Sequence, residues 1–577
     1  MVAVSLSPSD ATAAAAQRIA ELEVQRSELE SQLAAVTSKY DLLRQAYEKL
    51  RLDIELMRRR LYLAKAERLD TTQLELEFAD KVAALDAMNR DLGLPPADPP
   101  PSGDRRTREH RNKDLKPSGR RDLREADLPE ERIEILDPAL EGVAPRIGWE
   151  ESSRISHRRG GPVRVLVKRA KYLDPGADAT SPVIVTAPLP EQIIPRSIAL
   201  PSMLAHVVTD KFCWGIPFHR QADRASGTGL SIDRSMMCRW AEHLGGTVGA
   251  TIVAAMRDEA MRTAFCIATD ATGILVQPIP GGDRQRRGCT RAHFLVQIAD
   301  RDHVFFEFLA RETSATIGEL FKGFSGFVQA DAKSVYDLLY RPPDERPPPV
   351  DGDEPDLAER VEVGCWSHLR RKFWEVAITT KDPVAREAVF RIKRIFDLDR
   401  TWRKLPHAEI KAQRDLHLRP HVDAFFDWAR PEFAKLGGRR SMLASALGYA
   451  TRNEAAFKSF LEDGRLEMTN NRSERELRRV ATGRKAWLFV GSEDHGQAAG
   501  NLMSLIASAR LHAIDPEAYL RDVFRVLPHW PRGRYLELAP KYWRATRARL
   551  DAAQLEAELG PLTVPDLTAT AEQAASG

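Results

Sequence analysis

The chain has 577 residues, 43% of them hydrophobic and 29% charged, with a formal net charge of only +3. That length calls for several domains, and the composition is that of ordinary globular protein; near-balanced charge means that any grip on nucleic acid must come from local basic patches. Five scattered cysteines (Cys213, Cys238, Cys266, Cys289, Cys365), none in a CxxC pair, argue against a disulfide framework and suit a reducing compartment. No apolar run approaches the roughly 20 residues that cross a bilayer, so no membrane partner is expected. The first residues lack the basic and apolar regions of a signal peptide.

From Ile19 to Leu61 the apolar residues fall on a seven-residue repeat. Leu22, Leu29, Val36, Leu43, Leu50 and Met57 hold one heptad position. Ile19, Leu33, Tyr40, Tyr47, Ile54 and Leu61 hold its companion, with Arg26 as the polar exception. A heptad kept this long winds helices together, because a lone straight helix drifts off register. Residues 1–93 are therefore expected to form an N-terminal coiled coil whose simplest partner is a second copy of the chain, giving a homodimer or higher oligomer. Residues 94–132, rich in proline, glycine and charge, read as a basic linker. Its run from Arg105 to Arg124 fits DNA phosphates and a solvated tether equally well.

Residues 133–190 read as a small β-rich unit, with β-branched alternation in VRVLVKRAKYL and SPVIVTAPLP. Residues 191–260 read as helices: PSMLAHVVTDKF, PFHRQADRAS and, after a GTG turn, SIDRSMMCRWAEHLG, with Ser231 as cap and Asp233 in the first turn. Helix, glycine turn, helix suits a helix-turn-helix DNA-binding region, although a plain helical hairpin has the same pattern.

Strands begin at Phe265. FCIATDATGILVQ carries Asp270 at its middle, HFLVQIADRDHVFFEFLA supplies two more strands, and ATIGELFKGF is a helix. GFVQADAKSVYDLLY is a strand ending at Asp331, then a helix. The order β-β-β-α-β-α would set Asp270 and Asp331 on neighbouring central strands, a ribonuclease-H-like arrangement. The expected α/β catalytic core covers residues 261–512, with a loop from Pro342 to Asp356 and a nearly all-helical insertion within 341–463. Residues 513–577 form a C-terminal element and a tail expected to be disordered.

The stretch Leu466–Gly496 reads as turn, helix and strand. Asn470 and Asn471 suit a turn and helix cap, Glu474 lies in the first turns, and WLFV is β-prone. Between Arg472 and Lys485 lie six basic residues (Arg472, Arg475, Arg478, Arg479, Arg484, Lys485) and only two acids, Glu474 and Glu476. A solvated, salt-bridged helix fits this; so does a metal-binding carboxylate beside phosphate-gripping arginines. Asp270, Asp331 and Glu474 together supply the hard oxygen ligands that Mg²⁺ takes in two-metal phosphoryl transfer, with Asp270 as the bridge.

These segments resemble the insertion sequence 66 family of transposases, of the DDE class. The resemblance runs from about Arg51 to Trp543 and is carried by LPSMLAHVVTDKFCWGIPFHRQ, DRSMMCRWAEHLG, ATDATGILVQ, VQADAKSVYDLLY, CWSHLRRKFWE and TNNRSERELRRVATGRKAWLFVGSEDHG. It implies that Asp270, Asp331 and Glu474 are the catalytic and metal-binding acids, with Mg²⁺ (or Mn²⁺) as cofactor. It also implies double-stranded DNA, both element ends and target, as substrate, accessory transposition proteins as possible partners, and a bacterial cytoplasm, near the nucleoid, as the setting. DNA contacts are expected from His368, Arg370, Arg371 and Lys372, and from Arg475, Arg478, Arg484 and Lys485. Three positions depart from the family's usual residue: Ala271 (glutamate), Ala332 (glycine) and Thr469 (aspartate). The family's cysteine-rich zinc unit has no cysteines here between Gly142 and Val185, so no structural zinc is expected. The alternatives are a catalytically inactive DNA-binding descendant of a transposase and a coiled-coil scaffold with no nucleic-acid role.

Overall fold

The computed structural model describes residues 25–33, 46, 47, 49, 50, 54, 129–158, 160–174, 183–277, 289–346 and 355–566. Most of the expected coiled coil and basic linker thus lies outside the described residues. The described residues fall into two compact units: Lys113–Ser367, Pro406–Lys411 and Asn453–Gly577 form one, and Met1–Asn112, His368–Leu405 and Ala412–Arg452 the other.

The first unit opens with a four-stranded sheet of β1 (Glu130–Ile135), β2 (Arg146–Arg158), β3 (Gly161–Leu173) and β4 (Ile184–Thr186). Their order is β1-β3-β2, with β4 also paired to β3. The β2–β3 hairpin turns at Gly160 and Gly161, whose φ of +106° and +137° suit glycine alone. In β3, Val165 and Val167 and, after a change of parity at Lys168–Arg169, Ala170 and Tyr172 are buried with Ile135, Ala187 and Leu200.

Helices α1 (Pro201–Phe212), α2 (Phe218–Ser226) and α3 (Arg234–Val248) follow. Proline opens α1, where its missing N–H costs nothing. The cap of α3 is Asp233, whose side chain accepts from the Ser235 N–H at 2.7 Å. This corrects the expectation that Ser231 caps the helix, which starts two residues later than its pattern suggested. A π-turn, Gly249–Val253, leads into α4 (Ala254–Thr263).

The second sheet holds β5 (Cys266–Val276), β6 (Thr290–Ala299), β7 (His303–Leu309), β8 (Gly326–Ala330) and β9 (Arg360–Gly364), with α5 (Ser314–Leu320) between β7 and β8. Its order is β7-β6-β5-β8-β9. β5, β6 and β7 are mutually antiparallel neighbours, whereas β8 runs parallel to both β5 and β9. Two expectations need correction. The helix expected after Asp331 is a 3₁₀ segment, Ser334–Tyr340, and the helix expected from Val361 begins only at Trp366, because RVEVG completes the sheet as β9.

Helix α6 (Trp366–Thr380) starts beside β9, and Trp366 is fixed in the first unit by donating to the Phe457 carbonyl at 2.9 Å. From there the chain enters the second unit, which contains the rest of α6 and α7 (Pro383–Trp402), α8 (Arg419–Ala434) and α9 (Met442–Arg452). Its interior is aromatic: Phe373 meets Phe425 edge-on, and Phe425 meets Phe426. The buried Arg414–Asp399 pair closes at 2.9 Å, and Lys49 pairs with Glu387 on α7 at 3.2 Å.

The chain returns to the first unit as α10 (Asn471–Trp487), the two-residue β10 (Phe489–Val490), α11 (Glu493–Leu511), α12 (Pro516–Val526) and α13 (Pro540–Arg547). Helix α11 covers the edge of β7, where the Ser504 and Ser508 hydroxyls accept from the Phe306 and Val304 N–H groups at 2.8 and 2.9 Å. Gly245 lets α3 cross α11 closely, since a Cβ there would fall 2.3 Å from the Ala498 carbonyl oxygen. Among the described residues no helix is long and apolar enough to cross a membrane.

Candidate active site

The site grows from one strand edge. β8 pairs with the start of β5, as Cys266↔Phe327 to Ala268↔Gln329, and β10 pairs with its end, as Leu275↔Phe489 and Val276↔Val490. Between them α10 takes over the edge with side chains. The Asn470 amide donates to the Thr269 carbonyl at 2.5 Å, and Arg484 donates to the Gly273 carbonyl and to the Thr272 hydroxyl at 3.2 Å. Thr269 and Gly273 have the same strand parity, so their carbonyls share that edge. Asn470 is 1% exposed, and its own N–H donates to Cys365 Sγ at 3.3 Å, at the β9–α6 junction. Asn470 holds the N-cap position of α10 without a side-chain cap bond, and its amide nitrogen instead ties the start of the helix to β5.

This bracing brings the acids together. Continued two residues past Ala268↔Gln329, the β5–β8 register sets Asp270 level with Asp331, just beyond the end of β8. Glu474 lies in the first turn of α10, which packs over β5 and β6. Burial, reinforced by the charges of Asp331 and Glu474, pushes the Asp270 carboxyl up to about 6, although the Ala271 N–H donates to Asp270 Oδ1 at 2.8 Å. Three carboxylates from three separate elements therefore share one field. Their donor type fits hard divalent cations, and acids that already oppose one another gain from a cation placed among them. The three do not close to within 4.8 Å of one another, a spacing met among the described residues by a different group.

Sequence reasoning missed two charged residues here. Lys333 places its ammonium 3.1 Å from Asp331 Oδ2 and 3.9 Å from Glu312 Oε1. Burial opposes its charge, but these two acids win and hold Lys333 above its ordinary value. Between Asp331 and Lys333, Ala332 sits at φ +50°, a left-handed conformation in which glycine costs less. Nothing in the spacing of DAK signals this reversal, apart from the glycine usual at that position in the resembled family.

The expected DNA-contacting residues have different fates. Arg475, Arg478 and Lys485 are exposed on α10, while Arg484 is committed to β5. Arg472 and Arg479 are held by Glu467 and Glu476, at 2.5 and 3.1 Å. His368, Arg370, Arg371 and Lys372 belong to the second unit, on α6. There Arg370 lies 4.8 Å from the Trp374 ring centroid and Lys372 4.5 Å from that of Tyr449, so both long stems cover aromatic surface.

The sequence profile described as Transposase IS66 family matches residues 196–498, more than half the chain and all of this site. The chain belongs to the IS66 transposase family. A second profile, the IS66 C-terminal element, matches residues 504–540, which take in the end of α11 and all of α12. Among similar proteins, Uncharacterized protein y4hP of Sinorhizobium fredii (strain NBRC 101917 / NGR234) is 27% identical over 527 residues, spanning 86% of this chain and 89% of its own. Uncharacterized protein y4jD of the same strain is 26% identical over 519 residues, spanning 85% and 94%. IS66 membership makes this a protein of the DNA-processing transposase class, whose members generally use divalent metal ions.

Proposed function

We propose that this IS66 family member is an active DDE-type DNA transposase that cuts the 3′ ends of a mobile element and joins them to target DNA. The observation that carries this reading is the convergence of Asp270, Asp331 and Glu474 from β5, the end of β8 and α10. The sheet order β7-β6-β5-β8-β9, antiparallel on one side and parallel on the other, supports a ribonuclease-H-like core. Mg²⁺ (or Mn²⁺) ions held by the three acids would stabilise the attacking and leaving oxygens on opposite sides of one phosphorus.

The protein's own groups then have separate tasks. Asp270, central in the sheet, faces both other acids; Asp331 and Glu474 flank it. Arg475, Arg478 and Lys485 hold DNA phosphates along the exposed face of α10, and Arg484 keeps β5 in place beneath them. His368, Arg370, Arg371 and Lys372 add contacts from α6, and α2–α3 serve as the helix-turn-helix. Water attacks the phosphodiester at the element end and frees a 3′-OH; that hydroxyl attacks a target phosphodiester, whose 3′ oxygen leaves. No protein–DNA bond forms. The N-terminal heptads pair two copies, so that both element ends are held in one bacterial cytoplasmic, nucleoid-bound assembly, with accessory transposition proteins where the element supplies them.

The test is strand transfer with labelled element ends, target DNA and Mg²⁺. Wild type should form joined product, and Asp270→Asn, Asp331→Asn and Glu474→Gln should each lose on the order of 10³-fold in rate while still binding the ends. Binding without joining in wild type, at any metal concentration, would make the protein an inactive descendant. Absence of salt-sensitive binding would leave only a scaffold.

A further inference from the structure

Away from the acids, the first unit holds a second group of ligand-type side chains. His157 lies near the end of β2, His206 on α1, and Glu517 in the first turn of α12. Both imidazoles point Nδ1 at the same carboxylate oxygen: His206 Nδ1 is 3.1 Å from Glu517 Oε1 and His157 Nδ1 is 3.6 Å from it. One ligand atom from each lies within 4.8 Å of the others. Tetrahedral zinc with bonds of about 2.0–2.1 Å sets its ligand atoms roughly 3.4 Å apart, so this spacing suits one ion.

We propose that His157, His206 and Glu517 form a zinc-class transition-metal site that ties the β-rich sheet and α1 to the C-terminal element. Two imidazole nitrogens and one carboxylate suit zinc or its neighbours better than magnesium. The surroundings supply a second layer. Asp210 Oδ2 lies 3.5 Å from His206 Nε2, placed to accept its N–H once Nδ1 holds the metal, the carboxylate–histidine–metal arrangement of many zinc sites. Arg224 now donates to His206 Nε2 at 3.0 Å and pairs with Asp210; its side chain, 52% exposed, has room to turn outward. The rings themselves are stacked, with centroids 3.6 Å apart and planes 9° from parallel. Metal binding must splay them by rotation about their side-chain torsions so that both Nδ1 lone pairs meet in front of Glu517. The expectation of no structural zinc weighed cysteines, whereas the ligands proposed here are two histidines and a glutamate brought together by folding.

The test uses the full-length protein, stripped with chelator and reloaded. Wild type should retain one zinc per chain after desalting and melt several degrees higher with zinc than without. Cobalt in its place should give the visible absorption of a tetrahedral nitrogen–oxygen site, with no thiolate charge-transfer band. Glu517→Gln and His206→Gln should each weaken zinc binding on the order of 10²-fold or more, whereas Asp270→Asn and Cys238→Ser should keep it. Equal zinc retention in wild type and Glu517→Gln, a thiolate band with cobalt, or no retained metal in wild type would each overturn the proposal.

Discussion

Lys333 puts a positive charge where a divalent ion would compete for the same carboxylates. Removing it should leave the acids more repulsive toward each other and more attractive to metal. For Lys333→Met, Mn²⁺ titration of the DNA-free protein followed by electron paramagnetic resonance should show dissociation constants lower by about 3- to 10-fold, since one solvent-screened charge at this distance is worth about 1 kcal/mol at a dielectric near that of water. Ala332 makes a second prediction. At φ +50°, alanine carries left-handed strain of about 1–2 kcal/mol, and glycine gives back part of that gain through a freer unfolded chain. Ala332→Gly should therefore raise the denaturant midpoint by an amount worth about 0.5–1 kcal/mol, with the m-value unchanged. Asn470→Ala goes the other way, leaving the buried Thr269 carbonyl without its donor. A loss of about 1–3 kcal/mol should accompany slower strand transfer, because β5 and α10 lose a shared anchor.

At the scale of elements, helix α4 is clamped to the C-terminal region through Glu259. Its carboxylate accepts from His303 Nε2 at 2.6 Å, from Lys541 Nζ at 2.8 Å and from the Tyr542 hydroxyl. Burial alone would raise its pKa, but these three donors overcome it and bring Glu259 down to about 2. A depressed folded-state value means the stabilisation is whole above about 4.5, the carboxyl's ordinary value, and fades as pH falls toward about 2. Glu259→Gln should thus melt well below wild type at pH 6 and close to it near pH 2.5, as read by thermal unfolding across that range. The elements themselves were unequally legible. α1 matches its apolar pattern end to end, and the alternation of β5, β6 and β7 declared them strands. β9 was hidden because its five residues run into α6 with a single residue between, so their period merged with the helix. Of the site, the three acids could be named from strand order and resemblance. Lys333 and the Asn470–Thr269 bond could not, since both depend on register between segments remote in sequence.

For the molecule as a whole, charge is distributed for local rather than global attraction to DNA, with a net of only +3 over 577 residues. The exposed arginines of α10 should therefore dominate salt sensitivity nearby. Arg475→Ala with Arg478→Ala should weaken binding to all sequences alike and flatten the slope of log affinity against log salt by about 2, as measured by fluorescence anisotropy. The bond from Asn470 to Thr269 joins positions 201 residues apart, and Asn470 also meets Cys365 across 105 residues. Synthesis therefore delivers Asp270 and Asp331 long before the helix that bears Glu474. A polypeptide still emerging from the ribosome, or one cut short within the helical unit, already carries Asp270 and Asp331 but neither Glu474 nor the helices α11 and α12 that α3 and α1 pack against, so cluster and core are completed together by the last part of the chain.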